Sequence, residues 1–330
     1  MTNIKKLGLS ALAGSLVAFS ANAAELSVNG GVELTYVDTG GNKGNEVTGN
    51  SYGANSSVTM SGSGDVGFGT VSMTRTLNDG NSGWGSSFQT LDMGDAGVFS
   101  FDSTAGALVG VTANDDLMPT AYEEVSTGVS SKGVTGVGST NVIGYRNTFG
   151  MFSVSAGYSQ GGTSQAESGS TGPGAHGSIE DIYVSMGGLM DGLTIGAGYA
   201  TNSTPNNKAG NHDTKESVAN LVYSTGPVSV GYRMAESNKG TAGTASRVVD
   251  HYAIAFNVND SFKLSYGVQD TEKKDDGGAN ASVTEEVTGI SAAYTSGAAS
   301  VRVNHSKSDN DNGVTGTDDE TTEISLVLSF

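Results

Sequence analysis

The chain has 330 residues with no Cys, 50 Gly, 4 Pro, 36% hydrophobic residues and a net charge of −18. Lacking cysteine, it is neither a disulfide scaffold nor a thiolate metal protein, and past the N-terminus it has no apolar run long enough for a membrane helix. Sixteen Lys and Arg against 34 Asp and Glu repel a phosphate backbone over most of the surface, so nucleic acid is excluded as a partner.

Lys5 and Lys6 precede an apolar stretch from Leu7 to Phe19, and Ala21-Asn22-Ala23 supplies small residues for a signal peptidase. Residues 1–23 read as a secretory signal peptide; the apolar stretch is too short to anchor the chain in a bilayer about 30 Å thick. Loss of the two lysines moves the net charge from −18 to −20. Residues 24–330 form the mature chain.

In that chain the apolar residues recur at period two and almost nowhere at 3.6, which predicts strands and few helices. Leu26, Val28, Val32, Leu34 and Tyr36 share one face of the first segment, opposite Ser27, Asn29, Glu33 and Thr35. The pattern continues through Val58 and Met60, Val71 and Met73, a weak segment near Leu91, then Phe99 and Phe101. After a gap come Ile143 and Tyr145, then Phe152 to Tyr158. It is cleaner in the second half, from Ile182 to Met186 through Val228 to Met234 and Phe262 to Val268, and it closes with Ile324, Leu326, Leu328 and Phe330. Sixteen strands are predicted. Seven short turns, among them Phe149-Gly150, Gly226-Pro227 and Ser296-Gly297, alternate with eight longer polar connections, of which Ser103 to Thr140 is the longest.

A meander with one short-turn rim and one long-loop rim is the construction of an outer-membrane barrel. Lipid offers the backbone no hydrogen bonds, so a spanning sheet must close on itself. The expected fold is therefore all-β, a 16-stranded antiparallel transmembrane β-barrel, apolar outward and polar inward, too wide for its own side chains to fill. Tyr36, Tyr158, Tyr199, Tyr223, Tyr232, Tyr294 and Phe330 fit an aromatic girdle.

Four segments carry a resemblance: Glu25-Leu26-Ser27-Val28-Asn29-Gly30; Met93-Gly94-Asp95-Ala96-Gly97 before the long connection; Phe152 to Tyr158; and Ile324 to Phe330, with a terminal Phe330 of the kind that barrel-assembly machinery reads. Over the whole mature chain the sequence resembles the general diffusion porins of Gram-negative outer membranes, especially the alpha-proteobacterial, Rhodobacter-like group. The resemblance implies a homotrimer of water-filled barrels among outer-membrane lipid and lipopolysaccharide, passing small hydrophilic solutes and ions. It also implies that the long third loop folds into the pore as a constriction.

That loop carries Asp115, Asp116, Glu123 and Glu124, which are expected to line the constriction and to attract cations. Strand parity turns Arg146, Arg233, Lys263 and Arg302 inward as a luminal basic wall, since a basic side chain facing mid-membrane lipid costs about 2 to 4 kcal/mol. Arg75, the one basic residue of the early strands, shares the parity of Val71 and Met73 and so points outward or sits beyond the apolar band, which departs from the basic cluster that such porins oppose to the acidic loop. With the acidic balance, cation preference is expected. Asp309, Asp311, Asp318 and Asp319 are candidates for structural Ca²⁺, although a solvated acidic rim is the simpler reading and no cofactor is otherwise expected. His176, His212, His251 and His305 lack ligand spacing, and no catalytic arrangement is legible. The alternatives are a secreted acidic all-β adhesin or surface-layer protein, and a substrate-specific porin with a binding site at its constriction.

Overall fold

A computed structural model describes residues 25–42, 50–79, 84–102, 105–106, 121–122, 136–137, 142–160, 177–203, 213–238, 246–274 and 283–330. Residues 1–23, read above as a signal peptide, and the candidates Asp115, Asp116, Glu123, Glu124, His176 and His212 lie outside these residues. Sixteen strands follow in order: β1 (Glu25–Gly41), β2 (Tyr52–Asp65), β3 (Thr70–Asn78), β4 (Trp84–Asp92), β5 (Val98–Asp102), β6 (Val142–Phe149), β7 (Phe152–Ser159) and β8 (Ile179–Gly187). Then come β9 (Leu193–Asn202), β10 (Thr214–Thr225), β11 (Val228–Asn238), β12 (Ser246–Asn257), β13 (Phe262–Lys274), β14 (Val283–Ser296), β15 (Ala299–Asp309) and β16 (Asp318–Ser329). Each strand pairs antiparallel with its sequence neighbours, and β1 pairs with β16, so the barrel is closed and has no free edge.

The closing seam runs through the last residue. Gly30 donates its N–H to the Phe330 carbonyl at 2.9 Å and Phe330 donates back to the Gly30 carbonyl at 2.9 Å. The phenyl ring lies over Gly30, where a Cβ would come within 2.6 Å of it.

Alternation sets the two faces as expected. Leu26, Val28 and Leu34 on β1, Ile182 and Val184 on β8, Tyr252 and Ile254 on β12 and Tyr294 on β14 are exposed outward, where lipid replaces water. Their alternates, including Ser237, His251, Gln269, Asn304 and Ser325, face inward and are buried. The strands of the second half run beyond their apolar bands. β13 and β14 have 13 and 14 residues, continuing through Asp270 to Lys274 and from Val283 to Glu286. Apolar residues mark only the lipid layer, and the backbone ladder continues above it. The wall is lower after β1 and β2, with β3 and β4 of nine residues and β5 of five. The register of β3 against β4 shifts at Thr76/Leu77. The turn between β2 and β3 lies at 66–69, so Gly62 to Asp65 belongs to β2 rather than to the turn.

Candidate functional site

The connection from β5 to β6 is the third long one, and of its described residues Ala105, Tyr122, Gly136 and Val137 touch inward-facing wall. Ala105, Val137 and Val142 form one buried cluster with Phe88 and Ile179 packed against it, which draws the two ends of the connection together beside β4, β6 and β8. At Gly144 on β6 a Cβ would sit 2.0 Å from the Ala105 carbonyl oxygen, so only glycine admits this approach. Gly136 donates its N–H to Glu216 Oε2 at 2.8 Å and Val137 to Asp181 Oδ2 at 3.0 Å. Both carboxylates are buried, and by strand parity they point inward from β10 and β8.

Between those ends, Tyr122 reaches a different wall. Its hydroxyl donates to Glu323 Oε1 on β16 at 2.6 Å. Arg302 of β15 places its guanidinium carbon 4.6 Å from the Tyr122 ring centroid. The same guanidinium donates to Glu33 Oε1 of β1 at 2.9 Å, and the Ser325 hydroxyl donates to that oxygen as well. In the strand order, β16 and β8 lie on opposite sides of the ring.

The basic residues do not form one wall. Lys263 and Arg302 share an inward row, with Ala293 between them. Arg233 is 4% exposed and shares a hydrogen bond of 3.2 Å with His251 Nδ1, several rows away. Arg146 lies across the barrel on β6, exposed near the short-turn rim. Arg75 stands opposite Met60 and Ser87 on outward positions. Inward positions of β1 to β3 carry no Lys or Arg. They hold hydroxyls and amides such as Asn29, Asn55, Thr59 and Thr74, with Thr59 paired to Thr76 at 3.0 Å and Ser61 to Thr74 at 3.2 Å.

The four aspartates considered for Ca²⁺ do not converge. Asp309 and Asp318 stand opposite each other on outward positions, Asp319 has inward parity, and Asp311 accepts a hydrogen bond from its neighbour Asn312 at 2.8 Å. Among the described residues no group of three or more His, Asp or Glu is placed to hold a metal ion.

Asp181, Glu216, Glu33 and Glu323 were not singled out from the sequence as contacts of the loop. Their signal was present, since the parity that turns Arg233 inward turns these carboxylates inward too. What the sequence lacks is the partner, because loop residues carry no periodicity.

Comparison with known proteins gives consistent results. A family model described as Gram-negative porin matches residues 8–330. No curated protein matches at the sequence level. Among solved structures, a loop L8 deletion mutant of OmpT, an outer membrane protein of Vibrio cholerae, superposes with a TM-score of 0.70 at 15% identity, over 94% of this chain and 100% of that one. Salmonella typhi OmpF in complex with daunomycin gives 0.69 at 13%, over 92% and 97%. An anion-selective porin from Comamonas acidovorans gives 0.65 at 16%, over 93% and 100%.

Proposed function

The chain belongs to the Gram-negative porin family, an outer-membrane channel rather than an enzyme, and from that premise we propose that it passes small hydrophilic solutes and ions through a lumen narrowed by its third loop, with preference for cations. One observation carries the reading. Residues 105 and 137 are held beside β4, β6 and β8, while Tyr122, between them in sequence, is held at β15 and β16. Contacts with both walls support a third loop that crosses the lumen. Seventeen residues extend to about 55 to 60 Å, more than such a crossing needs.

The charge preference rests on this chain's own residues, because a relative of the same fold is anion-selective. Among the inward basic groups, Arg302 is paired with Glu33 and Arg233 is buried. The loop supplies Asp115, Asp116, Glu123 and Glu124, in an opening where low-dielectric walls focus the field. A homotrimer is part of the same reading, supported by the outward face of β2 to β4, where Arg75, Ser87 and Gln89 stand in place of lipid-compatible residues.

Planar-bilayer recording of the refolded mature chain in a KCl gradient tests the proposal. Conductance in steps of three and a cation-sided reversal potential are expected. Deleting residues 107–135, whose flanking residues already lie together, should raise the unitary conductance several-fold as the lumen opens. An anion-sided potential would refute the charge reading. An unchanged conductance on deletion would refute the constriction.

A further inference from the structure

The group around Tyr122 does more than hold a segment of chain, since its partners are charged and the next two residues are Glu123 and Glu124. Three strands that meet at the barrel seam supply it: Glu33 from β1, Arg302 from β15 and Glu323 from β16. Glu33 and Glu323 lie near the middle of their strands and Arg302 is the fourth residue of β15, all on inward positions. Arg302 faces Ser325 across the ladder, and Glu323 lies one inward row above Ser325. Arg302 and Glu33 are each about a third exposed, at 29% and 31% of their side chains, so ions in the lumen feel them. Arg302 is committed on two sides, to Glu33 at 2.9 Å and to the face of Tyr122 at 4.6 Å. Its Nε has no hydrogen-bond partner. One guanidinium thus stands against two carboxylates, and the group carries a net charge of −1 with all three ionised.

From this geometry we propose that Tyr122 is the positioning residue of the constriction, and that Glu33 and Glu323 are charge determinants on the wall that it faces. The proposal rests on the loop crossing the lumen. The phenol fixes where the chain meets the wall through two contacts of different kinds. One is a hydroxyl donated to a carboxylate, and the other is a ring stacked under a guanidinium. The side chain has only two rotatable torsions and is held at both its face and its tip. Glu33 has a separate task. It compensates Arg302, which shares its inward row with Lys263, so that the guanidinium stabilises the loop without adding its charge to that of the lysine.

The two tasks separate by substitution. Tyr122→Phe keeps the ring and removes the hydroxyl. Glu323→Gln keeps an acceptor for that hydroxyl and removes the charge. Glu33→Gln leaves Arg302 uncompensated. Heat-modifiable, trimer-forming preparations of each are compared with wild type for closure voltage, open-channel noise and reversal potential. Tyr122→Phe is expected to close at lower voltage with a noisier open state, its initial reversal potential unchanged. Glu323→Gln should stay quiet while its cation-to-anion permeability ratio falls by about twofold, and Glu33→Gln should lower the ratio further, as the field of one unit charge in a narrow pore requires. If Tyr122→Phe gates as wild type does, the positioning role is refuted. If neither glutamine variant shifts the reversal potential, the charge role is refuted. The 107–135 deletion separates this from failure of the underlying reading. Where deletion raises the conductance and these variants behave as wild type, the loop constricts the pore but Tyr122 does not position it.

Discussion

Single side chains determine how closely the loop approaches the wall. Gly144 lies on a regular strand and needs no unusual dihedral angle. It is glycine because the Ala105 carbonyl oxygen occupies the space of a Cβ, with Ser100 Oγ also 2.6 Å from that point. Gly196 plays the same part on β9, where the Tyr183 hydroxyl crosses it to donate to Asn220 Oδ1 at 2.7 Å. Neither backbone nor ring can yield by the distance needed, so Gly144→Ala should push Ala105 off the wall and cost about 1 to 3 kcal/mol, as overpacking does. The expected outcome is a closed barrel that unfolds at lower denaturant concentration than wild type, with an altered conductance. A variant indistinguishable in both would mean that the loop base has room to move. From the sequence, Gly144 was one glycine among 50. Parity showed that it pointed inward, but nothing local showed what lay against it.

At the scale of strands, the same limit appears where the apolar pattern stops. The sequence placed the strands by their lipid-facing residues, and so ended the apolar run of β13 at Val268. The ladder in fact continues upward through charged residues. There it creates a row that no single strand reveals: Asp250, Asp270, Glu286, Asp309 and Asp318 stand directly opposite one another on five consecutive strands, all on outward positions. Lys307 reaches Asp309 at 2.8 Å and the Tyr232 hydroxyl reaches Asp250 at 2.5 Å. Like charges directly opposed across a sheet are destabilising, by about 0.2 to 1 kcal/mol a pair. Exposed charges are screened over about 10 Å at 0.1 M salt. Glu286→Gln, which relieves two opposed pairs at once, should therefore raise the thermal midpoint of the folded barrel at low ionic strength, and the gain should shrink as KCl is added. A gain independent of salt would show that packing, not repulsion, is responsible.

For the whole molecule, the sectors in which the sequence was hardest to read are those with a different neighbour. On β6 to β16 the outward positions hold apolar residues bounded by aromatics such as Phe152, Tyr158, Tyr199 and Tyr294, the signature of contact with lipid, and there the period-two pattern located every strand. On β2 to β5 the pattern weakened, and the structure gives physical reasons. Among the described side chains, the outward positions of β3 and β4 hold no aromatic. They carry Arg75, Ser87 and Gln89 beside Gly62 and Gly64 of β2. Gln89 Oε1 is buried without a hydrogen-bond partner, and among the described residues no ion pair reaches Arg75. An arginine there would cost about 2 to 4 kcal/mol against lipid. The five residues of β5 reach only about 17 Å, short of a hydrocarbon layer about 30 Å thick. In the proposed homotrimer, a wall this low and this polar is the one assigned to a second copy of the chain rather than to lipid. The absence of cysteine permits a direct test. Met73→Cys and Gln89→Cys, treated in membranes with a short bifunctional maleimide, should give cross-linked species larger than the monomer, and Ile195→Cys on the lipid-facing β9 should give none. Cross-linking from position 195 but not from 73 or 89 would move the contact to the other side of the barrel. It would also leave the charge of Arg75 facing lipid, an arrangement that the energetics of the bilayer oppose.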